Sequence, residues 1–199
     1  MTTKEKILEA ALHLFNNQGV ESITTRHVAT SLGMSQGNLH YHFPNKNKLL
    51  EKLYEMFKEG LVKRSSYQMG TFGLAQIYES LLLNFDWMWE NRFLFLDREI
   101  VWRRLPNIKR ETQGLITMKT RQLNAAIETL KQQGVFRADL DQAQVDSFIN
   151  LYQIIINSWQ SSAYLFEKEK PTFFADNAFR AWYPYLTEMG TKEFDALIK

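Results

Sequence analysis

The 199-residue chain contains no cysteine. Disulfide staples and thiolate chemistry are therefore excluded, and the redox compartment is left open. The nine glycines are scattered singly, so no glycine-rich loop exists to cradle a phosphate. All four histidines (His13, His27, His40 and His42) fall in the first 42 residues, which leaves nothing downstream for a Ser/His/acid set. No apolar run reaches the roughly 18 residues needed to cross a bilayer. The N-terminus, "MTTKEKILEAALHLF", is amphipathic and charged, unlike the basic patch and continuous apolar run of a secretory leader. The expectation is a cytoplasmic protein with no membrane partner, no cofactor and no enzymatic centre.

The chain does have a core-forming composition, with 45% hydrophobic and 23% charged residues, which excludes disorder. The net charge of +2 is unevenly spread: residues 1–64 carry nine Lys/Arg against six Glu, and the rest carries fifteen against sixteen acids. A modest positive bias of this kind suits a nucleic-acid surface, but a solvated face produces it equally well.

Helical periodicity runs through the whole chain, so the fold class is all-α. Ile7, Leu8, Ala11, Leu14 and Phe15 mark a first helix over about 2–17, stopped at Gly19. A short second helix follows Thr24 and buries Val28, Ala29 and Leu32. Gly33-Met34 turns the chain, and Ser35 caps a third helix that buries Leu39 and Phe43. Asn45 caps a fourth with Leu49, Leu50, Leu53, Met56 and Phe57 on its apolar side. Longer helices then read over 74–90, from Pro106 to about 133, from Asp141 to about 169, and from about 172 to 189. The division expected is a helix-turn-helix domain at 1–48 and a larger helical body at 49–199.

Two short helices joined by a tight turn form a helix-turn-helix, whose second member lies in the major groove. That helix, "SQGNLHYHF", has no Lys, Arg, Asp or Glu at all. The side chains it offers are Gln36, Asn38, His40, Tyr41 and His42. Amides match adenine N6 and N7, while imidazoles and a phenol can donate to phosphates or bases. No carboxylate is present to repel the DNA backbone. Gly37 removes a side chain where the helix would approach closely, at about 1 kcal/mol of helix propensity.

Over residues 5–50, "ILEAALHLF", the glycine after it, "TTRHVA", "LGMSQGNLHYHF" and the lysine of "PNKNKLL" together resemble the N-terminal domain of the TetR family of transcriptional regulators. The resemblance implies a homodimer that grips double-stranded operator DNA with paired recognition helices and lets go when a small molecule binds the C-terminal body. It implies DNA contacts at Thr24, Thr25 and Arg26 at the start of the second helix. Ser35, Gln36, Gly37 and Asn38 match the base-facing turn, and Tyr41 and His42 the aromatic grip on the backbone. Lys46 matches the family's phosphate lysine, at a helix start where free N–H groups already attract an anion. His40 stands where the family usually has tyrosine, and its titration would make operator affinity pH-sensitive.

Blander readings compete. His40 and His42 at i, i+2 point to opposite sides of a helix, so they do not make a metal site. Arg26 can equally form a surface ion pair with Glu21. In the body, Trp87, Trp89 and Trp102, with the polar Asn84, Asp97, Gln153 and Asn157 inside apolar runs, are candidates for an effector pocket, although aromatics at helical spacing also make an ordinary core. The effector expected is apolar or aromatic, and release of DNA on binding points to a repressor. A helical dimer serving as activator or adaptor is the alternative.

Overall fold

Side chains able to accept an amide proton decide where the helices begin. The computed structural model describes residues 1–64, 73–166 and 170–198. Thr2 accepts from the Glu5 N–H and Glu5 accepts back from the Thr2 N–H, a reciprocal cap that opens α1 (Thr3–Gln18). Thr24 opens α2 (Thr25–Ser31) with a reciprocal cap of its own, and Ser35 opens α3 (Gln36–His42) by accepting from the Asn38 N–H alone. The Asn45 Oδ1 accepts from the Lys48 N–H at the start of α4 (Lys46–Arg64). Gly19 and Gly33 adopt φ of 79° and 64°, the left-handed region in which a Cβ is strained, and so end α1 and turn α2 into α3.

Four elements follow: α5 (Leu74–Glu90), α6 (Phe93–Leu96), α7 (Arg98–Arg104) and α8 (Pro106–Gln132). An Asp141 cap, with Gln144 reciprocating, then opens α9 (Gln142–Phe166). The expected end of that helix near 169 lies outside the described residues. "RFLFLDREIVWRR" forms α6 and α7, which join at Asp97. One difference from the periodicity stands out. The single helix expected over 172–189 is in fact α10 (Pro171–Arg180), a 3₁₀ turn at Tyr183–Tyr185, and α11 (Glu188–Leu197). Pro184 has no N–H to continue an α-helix. The freed backbone is used instead: Arg137 N–H donates to the Tyr185 carbonyl and Thr187 N–H to that of Val135.

The chain forms two compact units, one of residues 1–62 and 90–112, the other of 63–89 and 113–199. In the first, Ile7, Ala11, Phe15, Val28, Leu39, Leu49 and Leu50 are buried, and Phe15 packs on Phe93 with ring centroids 5.5 Å apart. Leu14 and Leu32 are only half-buried, and Met56 is exposed while Tyr54 takes the inner position. In the second, Trp159 stacks on Phe85 at 4.8 Å, and Phe148 and Phe136 pack around the fully buried Trp182.

Candidate nucleic-acid interface

The helix pair α2–α3 is built from inward apolar residues and outward polar ones. Val28, Ala29 and Leu39 face the core, which leaves Arg26, Gln36, Gly37, Asn38, His40 and Tyr41 exposed. Tyr41 is 86% exposed, an extreme value for so large an apolar ring, and meets His42 edge-on at 5.2 Å. Among the described residues no atom lies within 4 Å of where a Cβ on Gly37 would stand, so their packing does not require glycine there.

Three of the expected contact residues also hold the motif together. The Thr24 and Ser35 hydroxyls take the N–H groups of His27 and Asn38, both within 3.3 Å. The Thr25 hydroxyl lies 3.4 Å from His40 Nε2, which ties α2 to α3. His27 escaped the sequence reading: its Nδ1 accepts from the Thr24 N–H at 3.4 Å and completes the α2 cap, a role usually given to Glu or Gln. Glu21 pairs with Arg104 at 3.2 Å, and among the described residues no ion pair engages Arg26.

Lys46 departs most from the expectation of a free phosphate ligand. Its ammonium donates to the carbonyls of Val20 at 2.7 Å and Ile23 at 2.8 Å, with that of Glu21 at 3.4 Å. Burial pushes its pKa down, the Arg104 charge adds to this, and Glu21 opposes it. Those three carbonyls occupy the three donors of the ammonium, so Lys46 fastens the turn that precedes α2.

The expected effector residues fall into two groups. Asp97 and Trp102 belong to the first unit: Asp97 accepts from the Val20 N–H, and Trp102 lies under the cations of Arg98 and Lys109. Asn84, Trp87, Trp89, Gln153 and Asn157 belong to the second. There Arg64 sits over the Trp87 ring at 4.2 Å, and Trp89 packs on Trp159. Asn84 donates to the Ser80 carbonyl. Gln153 reaches the Thr120 hydroxyl at 3.3 Å and takes the Asn157 amide at 3.1 Å. Sequence reasoning passed over Gln160 and Lys119, though a glutamine within "NSWQSSAYLF" was a visible signal. Among the described residues no group of three His, Cys, Asp or Glu could hold a metal, and no helix is long and apolar enough to cross a membrane.

An exposed, acid-free α3 held against α2 on an all-helical chain defines a helix-turn-helix DNA-binding regulator. Residues 7–53 match the family described as bacterial regulatory proteins, tetR family, and residues 53–194 match the TetR description "bacterial transcriptional repressor". The chain belongs to the TetR family of transcriptional regulators, and is not an enzyme. It is 32% identical over 91 residues to the nucleoid occlusion factor SlmA of Mannheimia succiniciproducens, a match covering 44% of this chain and 42% of that one. It is 35% identical over 81 residues to the class D tetracycline repressor of Escherichia coli, covering 41% of this chain and 35% of the repressor. The matched stretch is thus under half the length of these relatives. A TetR-family transcriptional regulator from Marinobacter aquaeolei VT8 has the same fold, with a TM-score of 0.89 at 23% identity over 99% of this chain and 97% of that one.

Proposed function

We propose that the protein is a ligand-responsive repressor that binds operator DNA as a homodimer in the cytoplasm and is released by a small, largely apolar or aromatic effector. Residues 1–48 act as the DNA-binding domain and 49–199 as the effector-binding and dimerisation body. The observation that carries this reading is the exposed face of α3, where amides, imidazoles and a phenol stand in water with no carboxylate among them. Gln36 and Asn38 read base edges; Arg26, Tyr41 and His42 position the helix on phosphates.

Dimerisation is supported by α9, which is apolar on two sides. Phe148, Tyr152 and Trp159 are buried within the subunit, while Leu151 and Ile154 are 59% and 62% exposed. A helix with two apolar faces needs a second partner, and a two-fold pairing of α9 supplies one. The effector acts by favouring a spacing of the two recognition helices that does not fit the operator.

A band-shift of the full-length protein on the DNA upstream of its own gene tests the reading. Specific retardation that survives excess scrambled DNA is expected. Absence of any retardation would favour the adaptor alternative, and binding followed by stimulated transcription would favour an activator.

A further inference from the structure

Consecutive helices α8 and α9 touch in the second unit through Gln153 and Thr120, about equally far along the chain from the turn that joins them. That is the register of an antiparallel pair. The inward row of α8 after residue 112 runs Ile116, Lys119, Leu123, Ile127 and Leu130, at spacings of three and four. Four members are aliphatic and one is a lysine. Lys119 is half-buried, and the described residues give its ammonium neither ion pair nor hydrogen bond. Burial pushes its pKa down with no neighbouring charge to oppose this. A lysine side chain on a helix leans toward the helix N-terminus, which in this pairing is the direction in which α9 runs beyond Gln153.

On the facing helix Gln153, Asn157 and Gln160 form one row. The Asn157 amide donates to Gln153 Oε1, and the Gln153 amide reaches Thr120. Gln160 is 1% exposed, and among the described residues neither its amide nitrogen nor its carbonyl oxygen has a partner. Beside it the indole N–H of Trp159 is buried and also unpartnered, on a ring held between Phe85 and Phe174. Native proteins rarely leave buried polar atoms unmatched, and a half-buried cation on an apolar row is stabilised by an anion placed against it. A cation on an aliphatic row of α8, with an amide open in both functions and an indole donor among aromatics on the facing helix, is complementary to one kind of molecule.

We propose that the effector is an amphipathic organic anion, whose carboxylate or equivalent group pairs with Lys119 and whose polar edge bonds Gln160, while its apolar body packs on Trp159 and Phe85. This rests on the second unit being the effector-binding body, and adds one charged group to the apolar or aromatic effector expected. The closing experiment titrates the full-length protein calorimetrically with 2-naphthoate and 2-naphthamide, which share shape and differ in charge. The wild type should bind the acid about tenfold tighter or more. K119M should bring the acid down to the affinity of the amide and leave the amide unchanged, whereas K119R should keep most of the preference. Q160L should weaken both probes. Equal affinities in the wild type would overturn the proposal without recourse to any variant, as would a preference that survives K119M in protein with a normal thermal melt. If the amide alone binds and releases upstream DNA, the effector-body reading stands and the anion falls; if neither probe binds or releases DNA, both fail.

Discussion

The Asp97 carboxylate accepts the Val20 N–H at 2.6 Å, so the junction of α6 and α7 is fastened to the turn that follows α1. The same carboxylate oxygen would lie 3.4 Å from a Cβ on Gly19, whose φ is 79°. From the other side the Lys46 ammonium holds the Val20 and Ile23 carbonyls. The turn over 19–23 is thus clamped twice, and it sets where α2 begins and hence how the α2–α3 pair is presented.

The clamp should be measurable without DNA. Asp97→Ala removes the acceptor of a part-buried, charge-assisted bond and is expected to cost about 1–3 kcal/mol in urea unfolding. Lys46→Met leaves carbonyls of the turn without their donor, and its thermal midpoint should fall as well. A Lys46→Met melt indistinguishable from the wild type, with only DNA affinity reduced, would return Lys46 to the role of a free phosphate ligand.

The caps and stops of the first four helices were legible because Thr24, Ser35, Asn45, Gly19 and Gly33 act on backbone within a few residues of themselves. The roles of Lys46 and Asp97 were not, because their partners lie 23 to 26 and 77 residues away in the chain. A charged residue beside apolar ones reads the same whether it meets a phosphate, an effector or a carbonyl. Periodicity overextends the last helix for a similar reason: the Phe136–Leu186 bridge that holds the chain after Pro184 pairs residues 50 apart. For the interface, composition sufficed to pick out α3, since an exposed helix with no formal charge is anomalous without knowledge of its neighbours.

Stability should depend on one phenol at high pH. Tyr78 donates to Asp176 Oδ1 at 2.6 Å, and burial first, then the bond and charge of Asp176, push its pKa from 10.0 up to about 12. A folded-state pKa above the unfolded value contributes stability that is complete below pH 10 and is lost as pH rises toward 12. Tyr78→Phe should therefore lower stability by about 1–2 kcal/mol at neutral pH. Its deficit relative to wild type should shrink between pH 10 and 12 in paired urea titrations. A deficit constant over that range would mean that the bond does not control the titration.

Subunit pairing through α9 is expected to be broken by charge. Leu151→Glu with Ile154→Glu places two like charges where each subunit offers apolar surface, and burying them against the same pair on the partner is costly. Sedimentation of the wild type should give twice the 23.5 kDa chain mass at micromolar concentration, and the double variant the single mass with unchanged helix content. A variant still dimeric would move the interface off this face.

Readers of sequence and grips on the backbone should separate by salt and by competitor. Gln36 and Asn38 are exposed on the first turn of α3, immediately after the Ser35 cap that fixes its start. Replacing either by alanine is expected to cost about 1–3 kcal/mol on the operator and to relax preference at one or two base pairs. Binding to scrambled DNA should barely change, since no phosphate partner is lost. Tyr41→Phe removes a neutral donor: if Tyr41 contacts phosphate, affinity should fall on both DNAs while the dependence on salt keeps its slope. Arg26→Ala removes a cation: if Arg26 contacts phosphate, both DNAs should weaken and the salt slope should fall by about one unit per subunit; if it contacts a base, discrimination should fall as well. Affinities of each variant for operator and scrambled duplex at several salt concentrations provide all of these quantities. Equal losses on both DNAs for Gln36→Ala and Asn38→Ala would remove α3 as the recognition helix.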